Sequence, residues 1–403
     1  QNPKGTQDFH GEHREHYAST LLILAFQMVG VLITGPPGVG KTTAFKKIVD
    51  ALVGQARLRG FITKEVRGSG GAGRVGFDIE TLNGSISAPL ARVSGEPGTK
   101  SGGPTVGKYV VDIEAFERVA LSTMMTQPNT VLCIDEIGKM ELYSKAFCTS
   151  IRNLLSSGAV FLATIGQKGD GLIAEAKNHP NVKLYTLSFA NRDSILPTII
   201  KEMKSLIHHN LHIILGSSSI ARQSILREMG FDNFEVMAPG IDEKAIRKDT
   251  PEELVTELAK AKADALIQRL PSNAGILVTA DQVVVCAGVI CEKPETEEQA
   301  RMYITRYCEY PAKTVGALMV TDLATGRSAI GIDSTEIYFR KIPPDVLDKL
   351  ISRGDIYQCA GGLRIEDDLI SPYIDHIYGT LDSVMGFPKE LFTRLMEQVF
   401  KGS

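Results

Sequence analysis

Three things are scarce in this chain of 403 residues: net charge, paired cysteines and long apolar runs. Lysine and arginine total 44 against 47 aspartates and glutamates, and a net charge of −3 excludes a dedicated nucleic-acid surface, an acidic tail or a polybasic membrane anchor. Small polyanions held in local basic pockets remain open as ligands. The six cysteines (Cys133, Cys148, Cys286, Cys291, Cys308 and Cys359) form no C-x-x-C pair, and several lie inside apolar runs where cysteine acts as a small hydrophobe. A reducing, cytoplasmic setting without structural zinc is expected. The longest apolar stretch, 21–34, is too short for a membrane span and is broken by Gln27. Ahead of it, Asp8, Glu12, Glu15 and three histidines do not resemble the basic start of a signal peptide. His10, His13 and His16 recur every third residue, a spacing that suits either a metal site or a solvated tail or helix face.

What is present is organised around Gly35-Pro36-Pro37-Gly38-Val39-Gly40-Lys41-Thr42, placed between the apolar run 29–34 and a helical pattern over 44–53. In a G-x-x-x-x-G-K-[ST] loop the glycines let successive backbone N–H groups converge on a polyphosphate, and the helix beyond adds positive potential. Lys41 is placed to reach the β- and γ-phosphates, and the Thr42 hydroxyl to ligate Mg2+. The length predicts two or three domains. The pattern divides into an appendage over 1–28, an α/β unit over 29–206 and a second unit over 211–403. Residues 3–9 are similar to the opening of histidyl-tRNA synthetases, but no aminoacylation motif follows, and no nucleic-acid partner is expected.

Within the first unit, Gly60 to Arg67 and Arg74 to Thr81 flank a glycine turn and read as a β-hairpin. Thr130-Val131-Leu132-Cys133-Ile134-Asp135-Glu136 reads as a buried parallel strand with two carboxylates at its C-terminal end, where ligands bind in open α/β sheets. Asp135 there would hold the divalent ion and Glu136 orient or deprotonate the attacking water, unless both are ordinary strand-end charges. The alternation continues to a last helix opened by Asn191-Arg192-Asp193 and ending near Leu206. Together with Gly107 to Asp112 and Asp135 to Leu142, these strings resemble the small P-loop nucleoside-triphosphatases described as thermophilic or cancer-related NTPases. The resemblance covers 29–206. It implies a P-loop domain with a mainly parallel sheet, slow base-tolerant hydrolysis of NTP to NDP and phosphate, and a nucleotide site lined by Asp135 to Lys139. Arg67, Arg74 or Lys139 could each neutralise transition-state charge or form a surface salt bridge.

The second unit starts afresh with a strand near 211–215 and the loop Gly216-Ser217-Ser218-Ser219-Ile220-Ala221-Arg222, whose hydroxyls and arginine at a strand-to-helix turn suit an anion. Asp281 stands inside a β-branched run, so it faces a metal, a cation or a site, or else is a satisfied structural carboxylate. With Asp242-Glu243, Leu258 to Ala263, Glu292-Lys293-Pro294, Ala360-Gly361-Gly362 and Ser383 to Pro388, residues 211–399 resemble the Maf family of nucleotide pyrophosphatases. That resemblance implies a separate mixed α/β domain and a metal-dependent attack of water on an α-phosphate, giving NMP and diphosphate. It makes Asp281 the base, lets Glu243 help hold the cation, and assigns Ser217, Arg222, Lys262 and Lys293 to the phosphates. Gln282 and Glu366 resemble the 7-methyl-GTP branch of the family, since a carboxylate can accept from the N1–H and N2–H donors of guanine. Ala221 matches neither branch. The expected partners are nucleoside triphosphates, with no membrane contact and a homodimer left open.

Overall fold

Strand β1, Gly30–Thr34, carries no charge and all five of its residues are buried, as a central parallel strand requires. The computed structural model in which it lies describes residues 28–68, 73–272 and 275–401. The N-terminal stretch with its three histidines, and the glycine turn at 69–72, lie outside the described residues. The chain divides into two compact units, with the border between Ile207 and His208.

In the first unit β1 is followed by β2 (Arg57–Arg67), β3 (Arg74–Thr81), β4 (Ser87–Val93), β5 (Thr105–Val106), β6 (Tyr109–Val111), β7 (Thr130–Ile137), β8 (Phe161–Ile165) and β9 (Val182–Thr186). They form one sheet in the order β5-β6-β4-β3-β2-β7-β8-β1-β9. The run from β2 to β9 is parallel, and β3 to β6 extend it as antiparallel strands. Side chains alternate between two cores: Leu32 and Ile134 enter one, Val31, Ile33, Val131 and Cys133 the other. Helices 113–123 and 145–156 cover the first face, where Phe116 packs on Phe61 and Phe147 at centroid distances of 5.8 and 5.2 Å. Each begins on a side-chain cap, from Asp112 to Ala115 N at 3.1 Å and from Ser144 to Phe147 N at 3.0 Å. Helices 41–52 and 196–210 cover the second face.

Two local expectations shift. Asn191 does not open the last helix, because it closes a turn: its side chain accepts from Ser188 N at 2.8 Å and donates to Thr186 O at 3.1 Å. The helix therefore starts at Leu196, and it runs on to Asn210. Strands β4 to β6 had no counterpart in the sequence pattern, since two of them have only two or three residues among glycines and prolines.

The second unit contains β10 (Ile213–Gly216), β11 (Phe234–Val236), β12 (Ile276–Cys286), β13 (Val289–Cys291), β14 (Ala312–Asp322), β15 (Arg327–Phe339) and β16 (Ile374–Tyr378). Its sheet runs β11-β10-β12-β14-β15-β16, with β13 paired on β12. β10 is parallel to β11 and β12, and the remaining pairs are antiparallel, so the domain is mixed α/β. Helix Pro251–Ile267 starts on a reciprocal cap between Thr250 and Glu253 and lays Leu254, Val255, Leu258 and Ala259 on Val283, Val315 and Ala317. Helix Lys389–Phe400 packs Leu391, Phe392 and Leu395 against Val278, Ala280 and Val320. Among the described residues no helix is long and apolar enough to cross a membrane.

Candidate active sites

The first pocket is built on the turn after β1. Gly40 adopts φ 102° and ψ 27°, a left-handed conformation that a side chain would strain, and leads directly into helix Lys41–Leu52. Val39 is buried and anchors the loop, while Pro37 and Gly38 are exposed. Backbone N–H groups thus collect at a helix N-terminus with an open approach for an anion. Lys41 Nζ lies 3.7 Å from Glu136 Oε2.

Glu136 and its neighbour Asp135 lie where β7 bulges. The register with β8 pairs Ile134 with Ala163 and next Ile137 with Ile165, so Asp135 and Glu136 together face Thr164. Asp135 is 0% exposed, and its Oδ1 accepts from Thr164 Oγ1 at 2.5 Å. Its Oδ2 has no hydrogen-bond partner. Burial pushes the Asp135 carboxyl up, opposed by the Thr164 and Thr42 hydroxyls and by Lys41. A third acid, Glu141, stands in the single turn Glu141–Tyr143. A Cβ on Gly138 would lie 2.9 Å from both Glu136 Oε1 and Glu141 Oε2, so the two carboxylates converge over that α-carbon. Burial, with repulsion from Glu136 and Asp135, raises Glu141 to about 8. Lys139 is exposed, whereas Arg67 and Arg74 both pair with Glu65 on the hairpin.

The second pocket gathers around β12. Lys262, on the helix above it, is 6% exposed and donates Nζ to Asp281 Oδ1 at 2.6 Å while pairing with Glu243 Oε1 at 2.8 Å. Leu258 and Lys262 share a helix face as their spacing predicts, and both are buried. Arg222, in the first turn of helix Ile220–Glu228, donates Nη1 to Ser217 Oγ at 3.1 Å and Ala280 O at 2.9 Å, and Nε to Gly386 O at 3.0 Å. Burial pushes the Asp281 carboxyl up, while Lys262 and Arg222 pull it down. The same burial lowers the Arg222 guanidinium against the pull of Asp281 and Glu243. Two cations and the Asp281 carboxylate therefore share a poorly solvated space, with the half-exposed Glu243 at its edge. Gln282 sits beside them: its Nε2 donates to Val384 O at 3.0 Å, and a Cβ on Gly386 would collide with its Oε1 and lie 3.3 Å from the Arg222 guanidinium.

Comparison with known proteins follows this division. Residues 30–200 match the family described as NTPase, and residues 212–399 the family described as Maf-like protein. The 7-methyl-GTP pyrophosphatase of Dictyostelium discoideum is 40% identical over 193 residues, 46% of this chain and 96% of that protein. The cancer-related nucleoside-triphosphatase homolog of Bos taurus is 41% identical over 186 residues, 43% of this chain and 96% of that protein. The nucleoside-triphosphatase THEP1 of Thermofilum pendens is 38% identical over 181 residues, 44% of this chain and 96% of that protein. The chain belongs to both families. It is a hydrolase with an NTPase half and a Maf-like half, each of a nucleotide-hydrolase family.

Among the described residues no group of three or more His, Cys, Asp or Glu is arranged to hold a metal ion alone. The NTPase half nonetheless fits a divalent cation, because Asp135 offers a buried, unpartnered carboxylate oxygen in the range of the Thr42 hydroxyl. Hard ions such as Mg2+ take one or two protein oxygens and complete their shell from substrate phosphates. In the Maf-like half Glu243 and Asp281 supply two such oxygens, both engaged at rest by the Lys262 ammonium. Lys293 is exposed, and with Glu366 it borders the Cys359 thiol. Glu366 meets Arg364 Nε at 3.4 Å, and Ala221 adjoins Arg222 in the helix. The motifs pointed to Lys41, Asp135, Glu136, Arg222, Lys262 and Asp281. They did not point to Thr164, whose partner Asp135 lies 29 positions away.

Proposed function

We propose that the chain is a bifunctional nucleotide hydrolase acting in the cytoplasm. The NTPase half releases orthophosphate from NTP, and the Maf-like half releases diphosphate from a nucleoside triphosphate. The observation that carries this reading is that each half pairs a strand-end or in-strand acid with a lysine from a neighbouring helix, at 3.7 Å for Lys41 and Glu136 and 2.6 Å for Lys262 and Asp281.

In the NTPase half Lys41 and the N–H groups of residues 38–42 hold the β- and γ-phosphates, with Lys139 at the rim. Thr42 and Asp135 hold Mg2+ or another divalent cation, which when bound neutralises phosphate charge. Glu136 is the acid exposed enough to meet water. It takes the proton as the water oxygen attacks the γ-phosphorus, and the bridging oxygen leaves with NDP. In the Maf-like half Arg222, Lys262, Lys293 and Ser217 bind the phosphates. As the polyphosphate draws Lys262 away, Asp281 is freed to take a proton from the water that attacks the α-phosphorus, and diphosphate leaves. Glu243 helps hold the cation there. For the base, 7-methyl-GTP is favoured over UTP and dTTP. Gln282 and Glu366 support this as acceptors for guanine N–H groups, and so does the name of the relative from Dictyostelium discoideum.

The experiment is product analysis with both phosphate products quantified. Orthophosphate release that survives Asp281→Asn but vanishes in Lys41→Ala, with diphosphate release behaving the opposite way, supports two sites. No orthophosphate from any NTP tried would reduce the P-loop half to a nucleotide-dependent switch or scaffold. A panel of 7-methyl-GTP, UTP, dTTP and CTP, run beside Glu366→Gln, tests the base. Preference for UTP in the unmutated chain refutes the assignment.

A further inference from the structure

The register of β7 with β8 sets Asp135 beside Thr164. With two residues of β7 facing the single Thr164 of β8, the Asp135 side chain meets the Thr164 hydroxyl at 2.5 Å, in a place where both residues are 0% exposed. A hydroxyl donating to a carboxylate in a dry interior makes a short, charge-assisted bond that is strongly directional. It engages Oδ1 alone. Oδ2 of the same carboxylate is buried and has no hydrogen-bond partner, although an orphaned carboxylate oxygen is costly unless something binds it.

We propose that Thr164 is a positioning residue of the NTPase half: by occupying Oδ1 it fixes the rotation of the Asp135 carboxylate and presents Oδ2 as the oxygen that receives the cation. The inference rests on the assignment of Asp135 and Thr42 to a cation site. Threonine suits the task for two reasons. Its β-branched side chain has few rotamers available in a strand, so the donor stays aimed, and its methyl group fills the space an unbranched serine would leave. The neighbouring strand is held in place as well, since Thr34 Oγ1 donates to Ile165 O at 3.2 Å. A core threonine that merely satisfies itself on the nearest acceptor would leave ion binding unchanged when the hydroxyl is removed.

The test compares the full chain with Thr164→Val, which keeps the shape and removes the donor, and Thr164→Ser, which keeps the donor. The readout is Mn2+ affinity by electron paramagnetic resonance in the presence of ADP, together with the Mn2+ dependence of orthophosphate release. Thr164→Val is expected to weaken Mn2+ binding about tenfold or more, the usual effect of removing a group that orients a metal ligand. Thr164→Ser is expected to stay within about threefold of the unmutated chain, and diphosphate release by the other half to be unchanged in both. Equal Mn2+ affinity in Thr164→Val and the unmutated chain would overturn the proposal, as would an equal loss in Thr164→Ser. If Thr164→Val does not fold, Thr164→Ala enters the same comparison against Thr164→Ser. A chain that releases no orthophosphate but binds Mn2+ in a Thr164-dependent way would refute the hydrolase reading and leave this inference standing.

Discussion

Glu141 gives a prediction that can be worked through from charge and burial. Its carboxyl is 5% exposed and raised from the ordinary 4.5 to about 8, first by burial and then by repulsion from Glu136 and Asp135, against backbone N–H donors from residues 138 and 141. Below about pH 4.5 the acid is neutral in both the folded and the unfolded chain, so it costs nothing. Between there and about 8 the unfolded chain gives up the proton while the folded chain keeps it. The folded state then binds more protons, and its stability falls as pH rises. At about 1.4 kcal/mol per pH unit the loss reaches roughly 5 kcal/mol above both values. Glu141→Gln keeps the shape and cannot ionise. It should therefore gain on the unmutated chain by about 1.4 kcal/mol per unit between pH 5 and 8, and by nothing further at higher pH. Native-state hydrogen exchange of the β7 and β8 amides, without nucleotide or metal, reads the stability of this unit alone. Comparing the two proteins at the same pH cancels the intrinsic pH dependence of exchange. A difference that stays flat from pH 5 to 8 would refute the reasoning.

Three further outcomes follow from the geometry. Lys262→Ala strands Asp281 and Glu243 without their cation and should cost the Maf-like half about 3–5 kcal/mol in urea unfolding, largely restored by adding Asp281→Asn; no loss would mean the pair is solvated. Gly138→Ala places a methyl 2.9 Å from the Glu136 and Glu141 carboxylates and should lower kcat for orthophosphate release about tenfold to a hundredfold, with diphosphate release untouched. Gly60 is paired with Cys133 where β2 meets β7, and its Cβ would enter the Cys133 carbonyl oxygen. Gly60→Ala is therefore expected to lose more than about 4 kcal/mol, measured by thermal unfolding.

The parts that could be read from the sequence share one property: their chemistry is local. The loop from Gly35 to Thr42 is a contiguous run whose glycines and lysine act through neighbouring atoms. The strand before Asp135 is recognisable as five uncharged, mostly branched residues. The helix Glu297–Tyr307 is also bounded locally, because Thr296 caps it and Tyr303, Ile304 and Tyr307 fall on its buried face. What could not be read depends on residues far apart. Thr164 meets Asp135 across 29 positions, and it takes the pairing of β7 with β8 to set them side by side. Lys262 could be placed on a helix face, but nothing in its own neighbourhood said that it would lie between Glu243 and Asp281. Strands β4 to β6 are held by pairing to β3 and to one another, and the two short ones, β5 and β6, read as loop from their composition.

The Lys262 contact has a consequence for what the Maf-like half will accept. With that ammonium already neutralised by two acids, a singly charged anion such as chloride has to outcompete carboxylates at 2.6 and 2.8 Å and has little to offer in exchange. A free divalent ion meets the opposite obstacle, a positive charge already seated against its ligands. Polyphosphate and ion arriving together resolve both conflicts at once, so the resting pocket should ignore each alone and admit the pair.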